Sequence, residues 1–169
     1  INLPKSISRS KIDEIVKGFK KASKEFDIEI LGGDTNEGKE IVLNVCIFGE
    51  SKDFVSRKGS KEKDIIFVTG PFGYTVLGLK MILEEKQNKV KIVKKSINIF
   101  TNPKPRLVFG VKNKKYFSSS MDSSDGLSTT LNEMSKQSKK KFVINNIPSL
   151  KDLEDYVEMK KLNLKNLVF

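Results

Sequence analysis

Apolar side chains recur at helical spacing in several parts of the chain. The clearest example runs from residue 8 to residue 26, where Ser8 or Ser10 can cap the first turn. Pro105 suits the first turn of a short helix. The same spacing predicts further helices over residues 76–83, 89–100, 127–138 and 149–161.

Short apolar runs between these helices predict β-strands. They cover residues 28–31, 40–49, 64–69, 117–121 and 142–144. Both faces of the 40–49 run are apolar, so Cys46 is expected to be a small buried hydrophobic residue rather than a nucleophile. Strands that alternate with helices in this way indicate a mixed α/β or α+β architecture.

The length of 169 residues suits one domain or parts of two. A polar, charged stretch over residues 51–63 predicts a linker between two units. Because the chain begins at Ile1 without a Met, on an apolar run, we expect it to be a piece of a longer protein. No run approaches the roughly 18 apolar residues of a membrane helix, so no membrane partner is expected.

The composition excludes several kinds of chemistry. The chain has no His, which rules out an imidazole base or metal ligand. With a single Cys it has neither an internal disulfide nor a thiolate zinc site. Neither a G-x-x-x-x-G-K-[ST] loop nor a G-x-G-x-x-G fingerprint occurs, so the common nucleotide-binding folds are not indicated.

The net charge of +11 raises the question of nucleic-acid binding. Residues 1–56 carry 9 basic and 10 acidic residues, whereas residues 57–169 carry 23 and 11. A basic nucleic-acid-binding module over 57–169 is therefore one alternative. Only Arg9, Arg57 and Arg106 among the 32 basic residues are arginines, and phosphate and base recognition favours the guanidinium. A solvated lysine-rich surface is the favoured interpretation, and no nucleic-acid partner is expected.

Three segments at the ends of predicted strands are candidates for chemistry. In the first, Gly32-Gly33-Asp34-Thr35, paired glycines would let a phosphate approach the backbone while Asp34 holds a divalent cation; the alternative is a plain turn. In the second, residues 122–126, Asp122 and Asp125 can converge on Mg²⁺ beside a helix N-terminus that offers amides to phosphate. The alternative there is that Asp125 or Ser124 caps the helix 127–138.

The third candidate is Arg57. A lone arginine in a charged linker is usually solvated, but its fork of donors can also reach nucleotide phosphates.

Taken in order, these segments resemble thiamine-monophosphate kinase, a member of the aminoimidazole ribonucleotide synthetase superfamily. The resemblance extends over nearly the whole chain, and the S-D-G-L element at 124–127 is its most specific part. The matching segments are Leu31 to Thr35, Arg57 to Gly59 with Asp64, Val68 to Gly70 with Gly73, Gly78 and Leu79, Pro103 with Pro105, Arg106 and Gly110, and Met121 to Leu127.

The resemblance implies an α+β fold of mixed sheets flanked by helices. Residues 1–56 would be the remnant of an N-terminal ATP- and Mg²⁺-binding domain, and residues 57–169 part of the C-terminal domain. It also implies a cytoplasmic enzyme, a homodimer when full-length, that uses ATP and Mg²⁺ to phosphorylate thiamine monophosphate to thiamine diphosphate by direct transfer, without a catalytic nucleophile.

Matching positions imply roles for individual residues. Gly33, Asp34, Arg57 and Ser124 would contact ATP, and Asp34, Asp122 and Asp125 would be ligands of Mg²⁺.

Two departures from the family pattern stand out. The family's A-K-P-G-D turn is Ser60-Lys61-Glu62-Lys63-Asp64 here, and an Asp usual after S-D-G-L is Thr130. The family's amino-terminal third and its G-G-E element would lie outside this chain, so the isolated chain is expected to be inactive. These departures keep open a third hypothesis, a non-catalytic relative that binds a nucleotide for regulation.

Overall fold

The computed structural model describes residues 1–85 and 90–169. The described chain forms two compact units, unit 1 over Ile1–Glu50 and unit 2 over Ser51–Phe169. The start of the predicted helix 89–100, at residue 89, lies outside the described residues. The division into domain remnants at residue 56 stays a prediction.

The first helix of unit 1, α1, spans Arg9–Phe26, as the apolar spacing predicts. The side chain of Ser8 caps it by accepting the backbone N–H of Lys11 at 3.3 Å. The helix ends at Asp27, whose left-handed conformation (φ 53°) lets its N–H donate to the carbonyl of Ser23.

Regular β-structure in unit 1 is brief. Strand β1 (Asn2–Leu3) pairs in parallel with β2 (Asn36–Glu37). Val42 adds one antiparallel bridge, because its N–H and carbonyl exchange hydrogen bonds with Asn2 at 3.0 and 2.9 Å. These contacts tie the N-terminus of the chain to the loop that follows residue 31.

Unit 1 leaves its apolar side chains uncovered. None of its described residues is buried, and Leu31, Ile47 and Phe48 are 72%, 70% and 80% exposed. The prediction that Cys46 is buried is therefore wrong, since its thiol is exposed. Apolar side chains on both faces of this run are open to solvent, among them Val45 (64% exposed) and Phe48 (80% exposed), so the apolar pattern does not lead to burial here.

Unit 2 is built from helices. After residue 73 the described elements are α2 (Tyr74–Leu83), α3 (Lys91–Thr101), α4 (Leu107–Asn113) with a following 3₁₀ turn (Lys114–Tyr116), α5 (Leu127–Ser138), α6 (Lys151–Met159) and α7 (Leu164–Val168). The helices predicted at 76–83, 89–100, 127–138 and 149–161 correspond to α2, α3, α5 and α6. Pro105 precedes α4 instead of lying in its first turn.

The core of unit 2 lies where α2, α3, α6 and α7 meet. Leu77, Val93 and Leu153 are fully buried there, and Tyr74 is 1% exposed. Burial of each such side chain contributes about 1.5–3 kcal/mol relative to exposure, so this helical contact holds unit 2 together.

Two glycines allow these helices to approach closely. Gly73 begins α2 with a φ of 96°, and a Cβ on it would lie 2.6 Å from a methyl of Leu153. A Cβ on Gly78 would lie 2.4 Å from the carbonyl oxygen of Ser96 on α3. Both distances are shorter than van der Waals contact, so neither site admits a larger residue without movement of the backbone or its neighbours.

The predicted strands do not form regular ladders in the described chain. A strand is stable only when a neighbour accepts and donates along its length, and these segments make isolated hydrogen bonds instead. The prediction is wrong at this level for residues 28–31, 40–49, 64–69, 117–121 and 142–144.

Candidate functional site

The segment Asp122–Gly126, called here the acidic loop, leads directly into α5. Gly126 is the N-cap, with φ 104° and ψ 158°, a conformation that is essentially restricted to glycine. No side chain caps the helix, so the prediction that Asp125 or Ser124 does so is wrong. Because the chain enters the helix through Gly126, both residues lie one position or more before the cap. The glycine of the S-D-G-L element thus has a conformational role.

The polar groups of the acidic loop are poorly satisfied within the protein. Asp122 and Asp125 are exposed, and in the described part of the chain the carboxylate of Asp122 has no hydrogen-bond or ion-pair partner. Within residues 1–85 and 90–169, the Asp125 carboxylate accepts one hydrogen bond, from the hydroxyl of Ser124 at 3.2 Å. The Ser123 hydroxyl oxygen is buried with no partner among the described residues. Exposed carboxylates beside an uncapped helix N-terminus suit a hard cation carrying a phosphate.

Thr130, where the resemblance leads one to expect an aspartate, fixes the acidic loop to α5. Its side chain is buried, and its hydroxyl lies 3.1 Å from the carbonyl oxygen of Asp122 and 3.1 Å from that of Gly126. One hydroxyl proton serves these two acceptors alternately. The departure at position 130 therefore leaves a residue that anchors the backbone of the loop.

Residues 56–64, called here the arginine loop, lie against the segment that precedes the acidic loop. The N–H of Ser120 donates to the carbonyl of Ser56 at 3.0 Å. Arg57 follows directly and is exposed, and its guanidinium has no partner among the described residues. The structure therefore brings the Arg57 segment next to a residue only two positions before Asp122.

A tight turn closes the arginine loop. The N–H of Asp64 donates to the carbonyl of Lys61 at 3.3 Å, and Lys63 has a φ of 72°. This geometry fits a type II turn, in which Pro and Gly are favoured at the two central positions. Those positions hold Glu62 and Lys63 here, where the resembling family has Pro and Gly. Lys63 therefore adopts a left-handed conformation that favours glycine.

The carboxylate of Asp64 secures the same turn. It accepts the hydroxyl of Ser118 and the N–H of Lys61, and these bonds hold the pKa of Asp64 below its ordinary value.

The Gly32-Gly33-Asp34-Thr35 segment belongs to unit 1. The carboxylate of Asp34 accepts the N–H of Thr35 at 2.8 Å and the amide of Asn36 at 2.9 Å, as in the turn alternative. A Cβ on Gly32 or on Gly33 would meet open space, so protein packing requires neither glycine. The backbone there is open to a ligand, while the Asp34 carboxylate keeps lone pairs for a cation.

No three carboxylates or thiols converge into a metal site among residues 1–85 and 90–169. The roles assigned to Gly33, Asp34, Arg57, Asp122, Ser124 and Asp125 therefore stay predictions.

A polar network that joins the buried Tyr74 to the partly exposed Lys95 and Asp152 in unit 2 gave no signal in the sequence. The phenol of Tyr74 donates to Asp152, and the ammonium of Lys95 lies 2.7 Å from the same carboxylate and 4.3 Å from the Tyr74 ring centre. Burial, and then the bond to Asp152, raise the pKa of Tyr74. The three residues come from α2, α3 and α6, so the network joins the helices of the core and is structural. No spacing rule connects positions so far apart in sequence.

In the part of the chain that the structure describes, no helix is both long and apolar enough to cross a membrane.

Sequence comparison identifies relatives along the whole chain. The family model for "AIR synthase related protein, N-terminal domain" matches residues 1–51. The thiamine-monophosphate kinase of Nitrosopumilus maritimus is 63% identical over all 169 residues, which correspond to 54% of that protein. The thiamine-monophosphate kinase of Pyrococcus horikoshii is 31% identical over 94% of this chain and 50% of its own length. The chain spans about half the length of the curated relatives it matches.

A solved structure matches the fold. The structure described as "AaThiL complexed with AMPPCP and TMP" superposes with a TM-score of 0.86 at 28% identity, over 99% of this chain and 55% of that one. The predicted fold class, part of an α+β fold like that of aminoimidazole ribonucleotide synthetase, is therefore confirmed, as is the sequence resemblance to thiamine-monophosphate kinases.

Proposed function

We propose that this chain, whose full length aligns with about half of one thiamine-monophosphate kinase, is part of an enzyme that phosphorylates thiamine monophosphate to thiamine diphosphate with ATP. The observation that carries the proposal is the 63% identity over the full 169 residues. The match to a structure whose description names AMPPCP and TMP agrees with it.

In this proposal the acidic loop binds magnesium and phosphate together. Asp122 and Asp125 would be Mg²⁺ ligands, and Asp34 of unit 1 is likewise proposed as a Mg²⁺ ligand. Support comes from the acidic loop itself: among the described residues, the Asp122 carboxylate and the Ser123 hydroxyl have no partner, and no side chain caps the start of α5. These groups are donors and acceptors that the protein itself leaves unused. Ser124 would contact the bound nucleotide.

Arg57 and Gly33 complete the ATP-binding set. The Arg57 guanidinium is exposed and unpaired within the described residues, so it can donate two parallel hydrogen bonds to phosphate oxygens. The backbone of Gly33 is open, so that it can approach a phosphate without a side chain in the way.

The reaction is direct transfer. A phosphate oxygen of thiamine monophosphate bonds to the γ-phosphorus of ATP while the bond from that phosphorus to the β,γ-bridging oxygen breaks, and ADP leaves. Bound Mg²⁺ supplies positive charge to the phosphate oxygens. The residues of this chain hold the triphosphate in line and offset the repulsion between two anionic substrates. No covalent intermediate is required, in agreement with a site that has carboxylates and a guanidinium but no histidine.

We further propose that the intact protein is a cytoplasmic homodimer. Support for an assembly comes from unit 1, whose apolar side chains such as Ile47 and Phe48 are 70% and 80% exposed. Apolar area of this kind is normally covered by more protein.

The test is a product assay on the intact protein with ATP, Mg²⁺ and thiamine monophosphate, in which thiamine diphosphate is quantified by chromatography. Wild-type protein is expected to form thiamine diphosphate, and Asp122→Ala and Asp34→Ala are expected to lose activity. Normal rates in both variants would refute the assigned roles. A wild-type protein that binds ATP but forms no product would favour the non-catalytic relative instead.

The same preparation also tests the alternative that the chain binds nucleic acid. Salt-sensitive binding of a labelled oligonucleotide at moderate ionic strength would support that alternative, whereas no binding removes it.

A further inference from the structure

One hydroxyl group fastens the arginine loop to the far end of α5. Ser138 is the last residue of that helix, and its oxygen accepts the backbone N–H of Gly59 and that of Ser60, each at 3.2 Å. The two donors are close together in sequence but 78 to 79 residues from their acceptor. A contact of this separation is tertiary, so it restricts where the loop can lie.

Further contacts fix both sides of Arg57. Before it, the carbonyl of Ser56 accepts the N–H of Ser120 at 3.0 Å. After it, the hydroxyls of Ser60 and Ser119 are hydrogen-bonded. Arg57 therefore stands between two anchored points only a few residues apart, and it is exposed to solvent.

Gly59 makes this close approach possible. Its φ is 129°, and a Cβ on it would lie 2.5 Å from the carbonyl oxygen of Ser118. The backbone therefore passes against the 118–120 segment without room for a side chain. This contact brings the N–H of Gly59 within reach of Ser138.

We infer that Ser138 is a positioning residue for ATP binding, holding the arginine loop so that the Arg57 guanidinium is already placed for the phosphates. The inference rests on the proposed function, because it takes ATP as the ligand of Arg57. A loop anchored before the ligand arrives loses less conformational entropy on binding, so the affinity for ATP is higher. Without the hydroxyl, two backbone N–H groups lose their acceptor and the loop gains freedom.

The experiment compares Ser138→Ala with wild type in the intact protein. Dissociation constants are measured for the ATP analogue AMPPCP with Mg²⁺, and KM values for ATP and for thiamine monophosphate. Ser138→Ala is expected to weaken AMPPCP binding about threefold to tenfold, the size of one hydrogen-bonding contribution. The KM for thiamine monophosphate stays unchanged. Ser138→Thr keeps the hydroxyl and restores the affinity.

Ser135→Ala is the matched control. Ser135 lies one turn earlier on α5, and its hydroxyl donates to the carbonyl of Lys140 rather than accepting from the backbone of the arginine loop. The Lys140 ammonium lies 3.0 Å from Glu62 of that loop, but the Ser135 hydroxyl takes no part in this ion pair. The control removes one serine hydrogen bond from the same helix end and is expected to bind AMPPCP like wild type. Equal weakening in Ser135→Ala and Ser138→Ala would show a structural effect of helix stability and overturn the inference.

A double-mutant cycle with Arg57 gives the second criterion. In an Arg57→Ala background, Ser138→Ala is expected to have no further effect on AMPPCP binding, because the group it positions is gone. Full additivity of the two changes would contradict the inference. A wild-type protein that binds AMPPCP but makes no thiamine diphosphate would refute the proposed function alone, and the binding ratios would still decide the role of Ser138.

Discussion

The contact between α2 and α3 predicts a specific response to Gly78→Ala. The added Cβ would lie 2.4 Å from the carbonyl oxygen of Ser96 and 2.7 Å from its carbonyl carbon. Both atoms are backbone, so they cannot turn away as a flexible side chain does. Overpacking of this kind costs about 1–3 kcal/mol. Replacing a helical Gly with Ala returns about 1 kcal/mol of helix propensity, which leaves a net loss of up to about 2 kcal/mol.

Gly110→Ala is the matched comparison in the same unit. Gly110 also lies inside a helix, α4, but a Cβ there would meet nothing within 4 Å. This variant is expected to gain about 0.5–1 kcal/mol, because only the propensity changes. Thermal unfolding of the intact protein gives the readout. The midpoint should fall by up to roughly 8 °C for Gly78→Ala and rise slightly for Gly110→Ala. Equal shifts in one direction for both variants would refute a close backbone contact at Gly78.

Two further predictions concern the arginine loop and the core network. Lys63→Gly removes the side chain from a residue in the left-handed conformation, so it is expected to raise the free energy of unfolding in urea by about 0.5–1 kcal/mol. Lys61→Gly, in the same turn, should lower that free energy because it only adds freedom to the unfolded chain. Stabilisation by both variants, or by neither, would contradict the turn geometry. The hydrogen bond from Lys95, and after it the one from Tyr74, hold the pKa of Asp152 below its ordinary value of 3.8. The Asp152 carboxylate therefore stabilises the folded protein above about pH 4, and this stabilisation is lost as the pH falls through the lowered pKa. Asp152→Asn should cost up to about 1 kcal/mol at pH 7 and flatten the acid side of a stability-against-pH curve, and an unchanged acid side would argue against this pKa shift.

Most of the helices were predictable from sequence because their apolar residues recur at 3.6-residue spacing, whether or not the rest of the described chain covers that stripe. Helix α1 is an example: the apolar spacing predicted it over residues 8–26, and the Ser8 side chain caps it. The short α7, over Leu164–Val168, was not predicted, since five residues are too few to show a period. More strands were predicted than the described chain contains. An alternating apolar run shows that a segment suits a β-strand, but not whether a neighbouring strand lies beside it to complete the hydrogen bonds.

The candidate site was predictable as a set of residue types but not as a geometry. Asp122 and Asp125 could be selected from their spacing, whereas the cap at Gly126 depends on a φ that spacing does not reveal. Lys63 carried a usable signal, since it stands where the family pattern has glycine and its φ is 72°. Ser138 carried none, because its partners lie 78 to 79 residues away and a serine at a helix end is common.

The most direct test of the central claim, that the acidic loop holds magnesium for phosphoryl transfer, is a Mg²⁺ titration of thiamine diphosphate formation by the intact protein. Asp122→Asn keeps the size of the side chain and removes its charge. We expect the half-saturating Mg²⁺ concentration to rise by more than about tenfold, with a lower kcat, since loss of even an outer-shell partner commonly costs that much. Asp155→Asn, on the exposed face of α6, is expected to titrate like wild type. An Asp122→Asn variant with the wild-type Mg²⁺ curve and kcat would contradict the account.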